Sequence, residues 1–235
     1  MSAFSYIGSE LEIFAHAKRW KTYYASLISP FLGEQVLEVG AGMGATTKFL
    51  CAGTSKKWVC LEPDSNLIKI MDQSIQDGSL PAICSTRLGT IQNLEKQELF
   101  DSILYIDVIE HIKNDLLELD NAAEHLKPNG ALIVLSPAHE WLFTPFDKAI
   151  GHYRRYSKKT LSALTPKNCT LQKVLYLDSV GTLLSTANQI LLRQSMPTLG
   201  QILFWDQWIV PISKNIDPLL NFSFGKSILG IWRKS

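Results

Sequence analysis

Three glycines, Gly40, Gly42 and Gly44, follow the apolar run of "QVLEVGAGMGATTKFL" and precede a helical pattern. Glycine accepts positive φ and lets a ligand come close to the backbone. A loop between a strand and a helix lies where open α/β sheets bind their ligands. G-x-G-x-G followed by the small Ala45 does not by itself separate a dinucleotide from other adenosyl ligands. Two acids narrow the choice. Glu38 sits inside the apolar run, where a carboxylate is costly unless paired or bonded to a ligand, and it would repel a pyrophosphate. Glu62 ends "KWVCLE", about 20 residues after the loop, the distance at which an acid meets ribose hydroxyls. The two acids together suit a ligand with a ribose and an ammonium group. The competing reading makes Glu38 a structural cap and Glu62 a surface acid.

A second group of reactive types lies downstream. "YIDVIEHI" carries Asp107 and His111, and "AHEWLFTPFDKAIGHYRRYS" carries His139, Asp147, His152, Tyr153, Arg154, Arg155 and Tyr156. Asp107, His111, His139, Asp147 and His152 are the candidate general bases. Of these, His111, Asp147 and His152 form the catalytic set, with positioning as the other role open to His111. Adjacent arginines suit a carboxylate or phosphate, because a guanidinium grips both oxygens in a fork. His139, Tyr153, Arg154, Arg155 and Tyr156 are therefore the candidate acceptor-binding residues. The alternative pairs the arginines with surface acids and has His152 cap a turn before a helix at Ser157.

The elements that must position these residues read as α/β. "QVLEVG", "KWVCLE", "DSILYID" and "GALIVLS" are short apolar runs, with a weaker "AICST", and helical segments separate them. Strands alternating with helices imply βαβ units and a mostly parallel, Rossmann-like sheet with helices on both faces. Residues 9–32 read as one amphipathic helix, with Ser9 as a candidate cap and Pro30 and Gly33 ending it. "LKPNG" reads as a turn between helix and strand. "CTLQKVLYLDSV" is strand-like, residues 181–222 are helical, and "GKSILGIWRK" alternates as an edge strand would. One domain of 235 residues follows: a helical cap (1–33), a ligand-binding core (34–137), an acceptor-side segment (138–180) and a helical insertion (181–222) before the last strand.

The strands and loops together resemble the class I S-adenosylmethionine-dependent methyltransferases: "VLEVGAGMG", "CLEPD", "DSILYIDVIEHI" and "LKPNGALIVLSP" stand in that order. The resemblance implies S-adenosyl-L-methionine as cofactor, with Glu38, Gly40, Ala41 and Gly42 at its methionine end. It implies Glu62 on the ribose, flanked by Pro63, and Thr90 and Ile91 near the adenine. Asp107 would face cofactor and acceptor. The D…GHxRRY segment is similar to one in a subset of bacterial relatives that act near glycan, lipid and secondary-metabolite pathways. The implied function is methyl transfer, O-methylation first, to a small-molecule or lipid- or glycan-linked acceptor. The Asn/Asp-Pro-Pro-aromatic motif of adenine- and amide-N enzymes is replaced here by "YIDVIEH". The alternatives are an NAD(P)-dependent oxidoreductase, which Glu38 disfavours, and a catalytically silent cofactor-binding partner subunit.

Composition bounds the rest. The chain is 46% hydrophobic and 19% charged with net charge +1, so a basic footprint for nucleic acid is not expected. Cys51, Cys60, Cys84 and Cys169 show no CxxC or CxxH spacing and read as small buried residues, with no metal site expected. The N-terminus lacks the pattern of a secretory signal, and no run of about 18 apolar residues predicts a spanning helix. A cytoplasmic protein is expected. Around "ILFWDQWIVPI", residues 201–212 are a candidate lid over an apolar acceptor, core packing or a membrane-interface segment. Oligomeric state is not legible.

Overall fold

The computed structural model describes residues 10–51, 53, 55–191 and 197–235. Its strands are β1 (Gln35–Val39), β2 (Lys57–Glu62), β3 (Cys84–Leu88), β4 (Phe100–Ile106), β5 (Leu126–Pro137), β6 (Cys169–Leu177) and β7 (Ser227–Lys234). They form one seven-stranded sheet in the order β3-β2-β1-β4-β5-β7-β6. β1 to β5 run parallel, and β7 runs antiparallel to both β5 and β6. The α/β expectation therefore holds.

The last strand differs from its reading as an edge. β7 lies between β5 and β6 because it is buried on both faces. Leu229 and Ile231 join one core layer, and Ile228 and Trp232 join the other. β6 takes the edge, where its alternating exposure fits a strand with one neighbour. The Pro-Asn-Gly turn is absorbed into β5 as an irregularity, with Asn129 at φ 61°.

Helices cover both faces. The expected helix over 9–32 is broken into α1 (Glu10–Ala15) and α2 (Lys18–Ile28), followed by a 3-10 turn at Ser29–Phe31 that contains Pro30. Ser9 lies outside the described residues. The break has a distant cause. Ala17 offers no capping oxygen, and Asp206 reaches in to accept the Arg19 and Trp20 N–H bonds at 3.1 and 2.8 Å. A carboxylate at a helix N-terminus satisfies orphan donors and meets the positive end of the dipole. α3 (Thr47–Leu50) is one turn, α4 (Ser65–Gln76) is capped by Asp64, and α5 (Asp115–Glu124) packs on the second core layer. α6 (Pro145–Ala149) and α7 (Lys158–Ser162) each open with a capping box.

The insertion consists of α8 (Ser179–Leu191), α9 (Leu199–Phe204), a π-helical turn at Trp205–Ile209 and α10 (Val210–Leu219). Buried carboxylates tie it down. Asp217 on α10 accepts from the Tyr23 hydroxyl at 2.8 Å, from Asp178 N at 2.7 Å, and from Ser179 N at 3.0 Å and its hydroxyl. Asp178 accepts from Trp205 Nε1 at 2.7 Å and from Gly181 N and the Ser213 hydroxyl. Among the described residues no helix is long and apolar enough to cross a membrane. Asp217→Ala takes the acceptor from four buried donor groups, each costing about 1–3 kcal/mol where it finds no other partner. Urea denaturation is expected to show a stability loss of about 3 kcal/mol or more, and an unchanged midpoint would refute the anchoring role.

Candidate active site

The carboxyl ends of β1, β2, β4 and β5 open into one cavity of about 1470 Å³, roofed by α1, α2 and the insertion. Single-ligand pockets run to about 1,000 Å³, so this volume admits a cofactor and an acceptor together. Three non-glycine residues at or just past strand ends have positive φ: Asp107 at 55°, His139 at 65° and Asp178 at 64°. Such conformations collect where surrounding structure forces the backbone to aim side chains.

The glycine loop divides its work. Gly40 and Gly44, at φ 67° and 77°, pack tightly: a Cβ there would stand 2.6 Å from Val108 and 2.7 Å from Leu80. Gly42, at φ 59°, has only Leu11 within 4 Å, at 3.8 Å. Gly42 thus leaves bare backbone open to the cavity that it lines. Glu62 orders the loop by accepting from Gly42 N at 2.9 Å and Asp64 N at 3.0 Å.

Glu38 is buried and lines the cavity. One of its oxygens takes hydrogen bonds from the Thr47 hydroxyl at 2.7 Å and Trp58 Nε1 at 2.9 Å. Burial pushes its pKa up to about 7, against the pull of those two bonds. It is both a structural acceptor and a wall of the site, so the two sequence readings are reconciled. Pro63, Leu67, Gly89 and Thr90 line the far end, but Ile91 points into the second core layer. Burial of Ile91 removes it from the expected adenine contacts.

At the other end, Asp107, Glu110, His111, Asp147, His152 and Arg155 all line the cavity. Asp147 accepts from His152 Nδ1 at 2.9 Å, from Arg155 Nε and Nη2 at 2.8 and 2.9 Å, and from Thr144 N and Oγ1 at 2.8 Å each. Burial raises its pKa, but the bonds from His152 and Arg155 outweigh that and hold the carboxyl well below the usual range. Asp147 is therefore a fixed anion, not a base. It also fixes the proton of His152 on Nδ1 and turns Nε2 toward Glu110 Oε1, 3.8 Å away. Glu110 is fully buried. Its other oxygen accepts from Ser136 Oγ at 2.9 Å, Oε1 has no hydrogen bond, and burial keeps the acid protonated well above its usual pKa. The His111 ring meets that of His152 edge-on at 4.5 Å, and burial lowers its pKa to about 4, so it is neutral. No metal site was expected from the sequence. The structure places donor atoms of Glu110, His111 and His152 within 4.8 Å of one another, a set with the chemistry to take a divalent cation.

Four candidates fall outside the cavity. Arg154 pairs with Asp115 and donates to the Lys113 carbonyl at 2.8 Å. The Tyr156 hydroxyl bonds Asp115 at 2.9 Å, and Tyr153 is 55% exposed. His139 stacks on Tyr176 at 4.6 Å, beside Trp141 and Phe224. Of "HYRRY" the cavity takes His152 and Arg155, whereas Tyr153 is exposed, Arg154 is held by Asp115 and Tyr156 is buried in the second core layer. On the N-terminal side Phe14, Trp20 and Lys21 line the cavity, and Lys18 and Tyr23 do not. Burial lowers the Lys21 pKa to about 8 against the pull of Asp107 and Asp206. Lys21, Glu110 and Lys226 are cavity residues that the sequence reading missed, while Trp205 falls within the 201–212 segment read as a candidate lid. Only Glu110 left a signal, an acid beside His111 in an otherwise apolar run.

The chain matches the family model described as "Methyltransferase domain" over residues 14–188, and it belongs to that family. It is a class I S-adenosylmethionine-dependent methyltransferase with the Rossmann-like fold. It is similar to the mitochondrial ubiquinone biosynthesis O-methyltransferase of Dictyostelium discoideum, 29% identical over 115 residues, 45% of this chain and 36% of that one. It is similar also to (S)-coclaurine N-methyltransferase of Papaver somniferum, 30% identical over 114 residues, 47% of this chain and 31% of the relative. The matched stretch thus spans about a third of these relatives' length. Among solved structures, a geranyl diphosphate methyltransferase in complex with SAM shares the fold at TM-score 0.67 and 11% identity, over 97% of this chain and 91% of that one.

The raised pKa of Glu38 has a direct consequence. Its ordinary value is 4.5 and its folded value about 7, so the folded protein binds the extra proton between those pH values. Stability relative to a permanently neutral side chain is then lost as pH rises from about 4.5 to 7. Glu38→Gln is expected to stabilise the ligand-free protein by about 2–3 kcal/mol at pH 8 and by little at pH 4.5. Urea melts at the two pH values check this; equal shifts at both would contradict it.

Proposed function

We propose that this enzyme transfers the methyl group of S-adenosylmethionine to a hydroxyl oxygen of an apolar small-molecule or lipid-linked acceptor, with His152 as general base. The observation that carries this reading is the continuity of one cavity from Gly42, Glu38 and Glu62 to the Asp147–His152 pair. Glu38 would hold the cofactor's ammonium group, Glu62 its ribose hydroxyls, and Pro63, Leu67 and Thr90 its adenine, all five lining the cavity. When bound, the cofactor would supply a sulfonium methyl group open to in-line displacement by the acceptor oxygen, with a neutral thioether as leaving group. Positioning supplies most of the rate in such a displacement. Neutral His111 orients the acceptor hydroxyl. His152 Nε2 takes its proton, and the Asp147 carboxylate stabilises the imidazolium. Leu142, Phe146, Ile150, Ile202 and Trp205, all lining the cavity, suit an apolar acceptor body.

His152→Ala is expected to lower kcat by about 10²–10⁴-fold while S-adenosylhomocysteine affinity stays within about threefold by calorimetry. Asp147→Asn, which cannot hold the imidazolium, should follow the same pattern. Radiolabelled methyl transfer to a panel of phenols, other alcohols and amines tests the acceptor atom, and transfer confined to amines would overturn O-methylation.

A second observation favours delivery of the acceptor from a lipid surface. Leu199, Leu203, Phe204, Trp208 and Ile212 on the insertion are 43–58% exposed at spacings that place them along one side of the helical run. Phe204 belongs both to this face and to the cavity wall. Trp208→Ser with Leu203→Ser is expected to reduce co-sedimentation with phosphatidylcholine vesicles at least about threefold. Equal sedimentation of both proteins, or none by the wild type, would count against it.

A further inference from the structure

Three cysteines from separate elements converge beneath the cofactor loop. Cys51 ends α3, Cys60 lies within β2 and Cys84 opens β3. All are free and buried, with Cys51 and Cys84 at 4% and 6% exposure and Cys60 at 0%. The Cys84 and Cys51 sulfurs stand 3.3 Å apart, and Cys60 is within hydrogen-bonding reach of Cys84. Nothing in methyl transfer uses these thiols.

We propose that Cys51 and Cys84 form an oxidisable pair, closed to a disulfide by a hydroperoxide, and that closure weakens cofactor binding through Glu38. The second half rests on Glu38 facing the cofactor, as proposed above.

The chemistry assigns the roles. The contacts with the Cys51 thiol, and after it the Cys60 thiol, lower the Cys84 pKa and favour its thiolate. The Cys84 thiolate attacks a peroxide oxygen, the O–O bond breaks, and sulfenic acid and one water result. The Cys51 sulfur then gives up its proton and attacks the Cys84 sulfur. The S–O bond breaks and a second water leaves. Two thiols and one hydrogen peroxide become one disulfide and two waters, with the two electrons coming from the thiols.

The mechanical path is short. Closing the bond draws the sulfurs from 3.3 Å to about 2 Å. Cys51 N bonds the Thr47 carbonyl at 2.8 Å, and the Thr47 hydroxyl holds Glu38 at 2.7 Å while standing 3.8 Å from the Cys60 sulfur. α3 is a single turn without a side-chain cap, so it is the element that yields. Its movement shifts Thr47 and releases one of the two donors that orient Glu38.

The test treats the full chain with hydrogen peroxide and follows intact mass, cross-linked peptides and calorimetric S-adenosylhomocysteine affinity. Expected are a loss of two hydrogens, a peptide joining Cys51 to Cys84, and an affinity about tenfold weaker, all reversed by dithiothreitol. Cys84→Ala and Cys51→Ala should show none of these changes, and Cys60→Ala should retain them. Absence of the cross-link, a link through Cys60, or oxygen addition without a link would overturn the pair. A cross-link with unchanged affinity would overturn the coupling to Glu38. Failure of the untreated protein to bind S-adenosylhomocysteine would instead strike the cofactor-site reading, because the cross-link is read independently of it.

Discussion

The cavity exists because buried carboxylates hold its roof to its walls. Asp178, just past β6, and Asp217, on α10, are both fully buried. Between them they gather donors from α2, the start of α8, the π-helical turn and α10. Asp206 adds the end of α2. Burying three carboxylates costs several kcal/mol each unless every lone pair finds a donor, so the arrangement tolerates little displacement. Removing any one element exposes unsatisfied donors on the others. The N-terminal helices and the insertion, far apart in sequence, therefore act as one lid. Trp205 shows the same economy: its Nε1 serves Asp178, its ring lies 3.8 Å from Lys226 Nζ and 5.8 Å from the Trp20 ring, and it also lines the cavity.

The two ends of the site are electrostatically linked through Asp107. Enclosure raises its pKa, while His152, Lys21, Lys226 and Arg155 all pull the other way. Its side chain opens into the cavity between the cofactor end and the acceptor end. Burial raises the Glu110 pKa and lowers that of His111 to about 4, so burial favours the neutral form of both, beside the Asp147–Arg155 ion pair. A sulfonium loses its charge during methyl transfer, so a cavity that neither solvates it strongly nor repels it favours the transition state. Glu38 follows the same logic: its pKa near 7 makes it expensive as a free anion and receptive to an ammonium partner.

Much of this was legible in the residues. Apolar runs buried on both faces gave the strands, and the glycine loop with Glu38 and Glu62 located one end of the cavity. Placing β7 at an edge failed because alternation within a strand does not reveal a second partner. The inner location shows only in Ile228–Trp232 being apolar at nearly every position. The helix over 9–32 failed because its break is set by Asp206, 186 residues from Trp20, and no local pattern carries that information. Lys21 and Lys226 were invisible for the same reason: lysines are ordinarily solvated, and only the assembled roof encloses them.

The "GHYRRY" segment illustrates how a motif rich in reactive types can be mostly scaffold. Arg155 is consumed in a two-pronged bond to Asp147, and Arg154 in a pair with Asp115. Tyr156 shares Asp115 and also reaches the Ile109 carbonyl at 3.3 Å, while Tyr153 N bonds the Glu110 carbonyl at 2.8 Å. Apart from the Arg155–Asp147 pair, these bonds join the segment after β5 to the stretch after β4 that carries Glu110 and His111. Only His152 is left with a ring nitrogen directed at neither a carboxylate anion nor solvent. A guanidinium already saturated by an internal carboxylate has little left for an anionic acceptor, so the arginine pair does not argue for one. The Arg154–Asp115 pair ties the segment after β5 to the start of α5, and the His152 and His111 rings meet edge-on at 4.5 Å where both line the cavity.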